Sequence, residues 1–129
     1  MTRWVWIESR DVLFFHARLL ALHGGAVGIR DEGLLESALA RPQQRIAYGE
    51  NVDPCELAAT YAAGIIRNHP FVDGNKRTGF LIGILFLELN GHRFTAQEAE
   101  ATRAVIELAA GTISESEYAA FLRGNTVKA

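Results

Sequence analysis

An all-α single domain is the fold the sequence predicts, and three observations carry that prediction. Helix start and stop signals recur along the chain, alternating strand patterns are few, and Phe80–Leu87 is apolar on every side. Eight residues fall far short of the ~20 that cross a bilayer, so this segment reads as the buried central helix of about six.

Ser9 is placed to cap a first helix running to about His23, where Gly24 and Gly25 stop it; Leu13, Ala17, Leu20 and Ala21 give it an apolar stripe. A second helix is expected from about Asp31 to Arg41, ending before Pro42 because the residue before a proline is pushed out of helical geometry. Gln43–Val52, QQRIAYGENV, has no helical stripe and is the candidate for a loop or small hairpin. Asp53-Pro54-Cys55-Glu56 then joins an N-cap acid, a proline at the first helical position and an acid at the third. From there Leu57, Tyr61 and Ile65, with Ala58, Ala62 and Ile66, form a double row reaching to about Asn68. Gly74 breaks the chain before a fourth helix over Asn75–Asn90, closed by Gly91. Thr95-x-x-Glu98 and Ser114-x-x-Glu117 have capping-box form and predict helices near Ala96–Ala110 and Glu115–Arg123, ended by Gly111 and Gly124. No repeat, low-complexity tract or linker interrupts the series.

Charge and composition exclude several functions. A net charge of −2 and a pI near 6.1 argue against a broad duplex-binding face, which needs clustered Lys and Arg, so no direct nucleic-acid binding is expected; a helix-turn-helix reading weakens for the same reason. The 49% hydrophobic and 22% charged content is ordinary for a soluble globule. With one cysteine, Cys55, no intramolecular disulfide can form, and that thiol reads as packing; a zinc site would have to recruit His16, His23 and His92 from scattered positions. Glu8, Arg10 and Asp11 interrupt the stretch MTRWVWIESRDVLFF, which therefore lacks the apolar run of a secretion signal, and the cytoplasm is the expected compartment.

The chemistry concentrates in His69–Gly79, HPFVDGNKRTG. His69 has a ring that accepts a proton near neutral pH and is a candidate general base. Asp73 can ligate Mg²⁺, which takes one or two carboxylates and fills other positions with phosphate oxygens. Gly74 leaves room for a phosphate beside the backbone, Asn75 can donate from its amide, and Lys76 and Arg77 neutralise charge at the mouth of the fourth helix. Each residue taken singly is commonplace in a turn or a solvated helix end. Two facts set the group apart. Cations in a first turn oppose the helix dipole at up to ~1 kcal/mol apiece, a cost that a bound anion would offset; and Lys76 is one of only two lysines beside eleven arginines.

The run HPFVDGNKRTG resembles the signature of the Fic/Doc superfamily, and its NKRT form is similar to the Doc (death on curing) branch. The Gly-Gly at Gly24, the run GLLESALARPQ ending at Gln43 and LFLELNG ending at Gly91 look Doc-like too. The resemblance implies a compact α-helical Fic/Doc-like domain with the motif in the loop before the central helix, and a flap at Gln43–Val52 that aligns a target segment. It implies that His69 is the base taking the target hydroxyl's proton, that Asp73 holds Mg²⁺, and that Asn75, Lys76 and Arg77 grip the phosphates of ATP while Gly74 leaves them space.

Two departures from nucleotidylating Fic relatives bear on the reaction. Lysine occupies position 76, where those relatives usually have glycine, and Phe80 stands in place of their second arginine, which grips the terminal phosphate of ATP when AMP is transferred. The Doc resemblance implies the reversed nucleotide, with the γ-phosphate toward His69: a kinase reaction on a protein Ser/Thr hydroxyl, with a threonine of translation elongation factor Tu as the branch's target and translation blocked. AMP transfer and a non-catalytic partner-binding module stay open as alternatives. Many Fic proteins silence themselves with a Ser or Thr four residues before a glutamate; this chain has no such pair, so the resemblance implies restraint in trans by an antitoxin, with Trp4 and Trp6 as candidates for its groove.

Overall fold

The computed structural model describes residues 3–129. Its element order is α1 (Ser9–His23), α2 (Glu32–Ala47), α3 (Pro54–Asn68), α4 (Asn75–Leu89), β1 (His92–Phe94), α5 (Glu98–Ala110), α6 (Glu115–Gly124) and β2 (Thr126–Lys128). The fold is all-α as expected, with one short antiparallel pair in which Arg93 faces Val127.

The enclosed rod is α3, not α4. Eleven of its fifteen residues are buried, against seven of fifteen in α4, where Phe80, Leu81, Ile84 and Leu85 keep partial exposure. Small side chains explain the difference, because they let neighbours close on α3 from several sides. A Cβ at Gly79 would lie 2.7 Å from Ile66 Cγ1 and 3.0 Å from the Ala62 carbonyl oxygen, and one at Gly83 would lie 3.1 Å from that of Ala58. On another face Gly64 meets Ala38 of α2, where an added Cβ would sit 3.0 Å from the alanine methyl. The unbroken apolar run of α4 therefore reflects one tightly packed stripe and one partly covered face. Trp4 and Trp6 lie against the same core, each stacked on Phe86 at 5.9 Å.

Helix starts follow local chemistry where a cap can act. Asp53 accepts from the Glu56 N–H at 2.8 Å with Pro54 first in α3, and Ser114 and Glu117 form the reciprocal box of α6. At α1 the cap is Glu8, whose N–H is taken by Asp11 at 2.9 Å, and Ser9 is already helical. At α5 the cap is Gln97, because Thr95 instead extends the strand pairing by donating N–H and hydroxyl to the Asn125 carbonyl.

The second helix does not stop at Arg41. Pro42 is a buried interior residue and α2 runs on to Ala47, so Gln43–Val52 holds a last helical turn and a short loop, and no hairpin. A mid-helix proline costs ~3 kcal/mol in isolation. Here tertiary contacts offset it: the Arg45 guanidinium reaches Glu50 at 3.0 Å, Thr60 Oγ1 at 2.9 Å and Glu56 at 3.4 Å, while Ile46 packs on the core. The segment that flanks the motif is Gly28–Asp31 instead. Ile29 bridges Phe71, the Arg30 and Asp31 amides both donate to the Pro70 carbonyl, and the Val72 amide donates to Gly28.

Candidate active site

His69 caps the C-terminus of α3 in the left-handed region, φ 52 and ψ 54, the one non-glycine residue there among those described. Such a conformation is uncommon for a side chain with a Cβ and marks a constrained position. Arg30 supplies part of the constraint: its Nε donates to the His69 carbonyl at 2.6 Å and its terminal nitrogen to that of Asn68 at 2.8 Å, which places a cation on the negative end of α3. The imidazole itself is exposed.

Gly74 is the N-cap of α4 at φ 80, a geometry glycine takes without strain. The first turn holds no acid and no capping side chain, and the Asn75, Lys76 and Arg77 amides have no partner among the described residues; the first bond back is Thr78 N–H to Gly74. Lys76 and Arg77 are exposed and make no ion pair there. Three unpaired N–H groups and two free cations converge on one helix end, which is the physical make-up of a phosphate site.

Asn75 differs from its expected part. It is 3% exposed; its Oδ1 accepts from the Phe71 N–H at 3.0 Å, and its Nδ2 donates to the Phe71 carbonyl at 3.0 Å and to His69 Nδ1 at 3.1 Å. The side chain thus braces the loop from within, and what it offers an anion is its backbone N–H. Both hydrogens of its amide being engaged, Nδ1 of a neutral His69 is the acceptor and Nε2 carries the proton. Proton uptake at Nε2 needs the other tautomer, with the Asn75 contact released.

The Asp73 carboxylate is exposed at the loop's edge. The Ala26 N–H at 3.2 Å and the Gly74 N–H at 2.8 Å hold its carboxyl below the ordinary value, with the charge of Arg77 adding to them. Each oxygen keeps lone pairs for a cation. No cluster of three His, Cys, Asp or Glu fit to hold a metal occurs among the described residues. A single ionised carboxylate beside a phosphate cradle suits Mg²⁺, which completes its shell with phosphate and water, better than a metal held by protein alone.

Two residues outside the motif belong to this site and went unseen in the sequence. Arg30 had no local signal, since its partners lie 38 and 39 positions away. His16 is buried on α1 and donates from Nε2 to the Asp73 carbonyl at 2.8 Å; the available hint was its place one turn after Val12, with which it forms the buried face of α1, whereas Leu13, Ala17 and Ala21 of the expected stripe are exposed. Gly25 closes the same corner, for a Cβ there would lie 2.9 Å from Asp73 Oδ2. Cys55 is buried away from this corner, at the start of α3, and burial pushes its thiol up.

A model of the Fic/DOC family matches residues 6–87. Protein kinase doc of Escherichia phage P1 is 35% identical over 117 residues, covering 91% of this chain and 92% of that protein. Toxin Doc of Mycolicibacterium smegmatis is 43% identical over 75 residues, 57% of each chain.

Proposed function

The chain belongs to the Fic/DOC family, and from that premise we propose that it is a Doc-like toxin, a cytoplasmic kinase that moves the γ-phosphate of ATP to a Ser or Thr hydroxyl of a protein target. The observation that carries this reading is the helix end at Gly74, with three unpaired amides and two unpaired cations beside an ionised Asp73 and the ring of His69. The name of one relative, protein kinase doc, favours this reaction class, and that of the other, Toxin Doc, favours the toxin role.

In the proposed reaction the amides of Asn75–Arg77, with the Lys76 and Arg77 side chains, grip the phosphate chain and balance the charge that spreads over the γ-phosphoryl oxygens. Asp73 would hold Mg²⁺, which when bound supplies further neutralisation of the phosphates. The target hydroxyl oxygen bonds to the γ-phosphorus as the bond to the bridging oxygen breaks; ADP leaves, and the hydroxyl proton passes to His69 Nε2 in the tautomer that carries its own proton on Nδ1, the Asn75 contact being released. Position 80 supports γ- over α-transfer, since Phe80 sits edge-on to Phe94 at 5.8 Å and adds no cation to the helix mouth. Elongation factor Tu is the proposed target and an antitoxin acting in trans the proposed restraint.

The deciding experiment incubates the purified protein with Mg²⁺, a bacterial lysate and ATP labelled at either the α or the γ phosphate. Label transferred only from the γ position, onto a Ser or Thr of elongation factor Tu, is expected; transfer of α label identifies a nucleotidyltransferase and overturns the reading.

A further inference from the structure

Taking the proposed role of Asp73 as its footing, we propose that His16 is a positioning residue of this site: its Nε2–H fixes the peptide between Asp73 and Gly74, and so sets both the carboxylate and the first amides of α4 for a magnesium–phosphate group.

The side chain is 6% exposed, and its ring lies flat on that of Phe71, with centroids 3.7 Å apart and planes 9° from parallel. Phe71 is itself immobilised, fully buried and bonded through both backbone groups to Asn75. The stack fixes the plane of the imidazole, and in that plane Nε2 lies 2.8 Å from the Asp73 carbonyl oxygen. A carbonyl only accepts, so Nε2 must carry the proton.

The consequence follows from peptide geometry. In a trans peptide the C=O and the N–H point in opposite directions. Anchoring the Asp73 oxygen on His16 thus turns the Gly74 N–H outward, where it donates to Asp73 Oδ1 at 2.8 Å, while the Ala26 N–H takes Oδ2 at 3.2 Å. One of the two amides that aim the carboxylate is itself aimed by His16. The same peptide leads into Gly74 at φ 80, from which the unpaired amides of the first turn take their direction. A ring that served packing alone could be replaced by another ring; one that serves this bond could not.

Three measurements test the role. Nitrogen NMR of the wild-type chain should show His16 protonated on Nε2, a readout that needs neither a variant nor activity; a bare Nε2 with protonated Nδ1 overturns the proposal. Calorimetry with Mg²⁺ and a non-hydrolysable ATP analogue should find binding weakened about tenfold in His16→Phe, which keeps the stack and loses the donor, and restored to within about threefold in His16→Gln, whose amide replaces it. In an Asp73→Asn background His16→Phe should weaken binding less than in the wild-type chain, because part of its effect runs through that carboxylate and part through the amides of α4. Wild-type protein that binds no magnesium nucleotide overturns the functional reading and this role with it. Wild-type binding that His16→Phe leaves unchanged overturns the positioning role alone.

Discussion

Replacing Asn75 with alanine would strand both backbone groups of Phe71. That residue is fully buried, and its N–H and C=O each find their partner in the Asn75 amide at 3.0 Å. A buried backbone group left without a partner costs ~1–3 kcal/mol, so two such groups give a loss of ~2–4 kcal/mol when water entering beside the exposed His69 ring relieves part of it. A domain of this length has ~6–19 kcal/mol of stability at ~0.05–0.15 kcal/mol per residue, so the variant stays folded and measurable. With a urea slope of ~2 kcal/mol per molar, the unfolding midpoint should fall by about 1–2 M. Asn75→Asp should lose a similar amount, because it keeps an acceptor for the Phe71 N–H but turns a second oxygen toward the Phe71 carbonyl. A midpoint within about 0.3 M of wild type for Asn75→Ala would refute the reasoning and return that side chain to the phosphate.

Further outcomes follow from the same geometry. His69→Ala should leave nucleotide binding intact by calorimetry and lower the rate of label transfer by ~10²–10⁴; equal activity would remove His69 as the base. Gly79→Ala should destabilise by ~1–2 kcal/mol in urea, the methyl's clash with Ile66 and the Ala62 carbonyl outweighing the ~1 kcal/mol that alanine brings to a helix; a gain would mean that α3 and α4 sit further apart. Asp53 gives the pH dependence: burial opposes its charge, but the Arg123 guanidinium and the Glu56 and Cys55 amides outweigh it and hold the carboxyl below its ordinary value. A depressed folded-state value means that the stabilisation is present above the unfolded carboxyl's ~3.9 and is lost as pH falls through the folded one. The stability gap between wild type and Asp53→Asn should therefore be flat near neutrality and close in strong acid; a gap that persists there would contradict the pairing.

Local chemistry made much of this molecule legible. The Asp53-Pro54 start of α3, the Ser114 box and the glycine break at Gly74 are short-range devices, and each acts as written. The pair Lys76-Arg77 in a first turn without acids was legible too, because cations at a helix start are visible in sequence. What escaped depends on partners far along the chain. Pro42 reads as a stop until Arg45 is seen bonded across to Thr60 and Glu56. The hub was misplaced because hydrophobicity marks α4, whereas enclosure follows from the alanines and glycine that let helices close on α3. Asn75 looks like a ligand-facing amide until the buried Phe71 backbone claims it, and His16 and Arg30 become part of the site only when α1 and the Gly28–Asp31 segment fold over the loop.

The central claim, that a magnesium nucleotide seats its phosphates on the opening turn of α4, is tested most directly by amide NMR during titration with Mg²⁺ and a non-hydrolysable ATP analogue. The amide signals of Asn75, Lys76 and Arg77 should move together and saturably, with smaller shifts at Gly74 and the His69 ring, and Asp73→Asn should weaken the effect. Signals from these residues that stay fixed while others shift, or that stay fixed throughout, would contradict it.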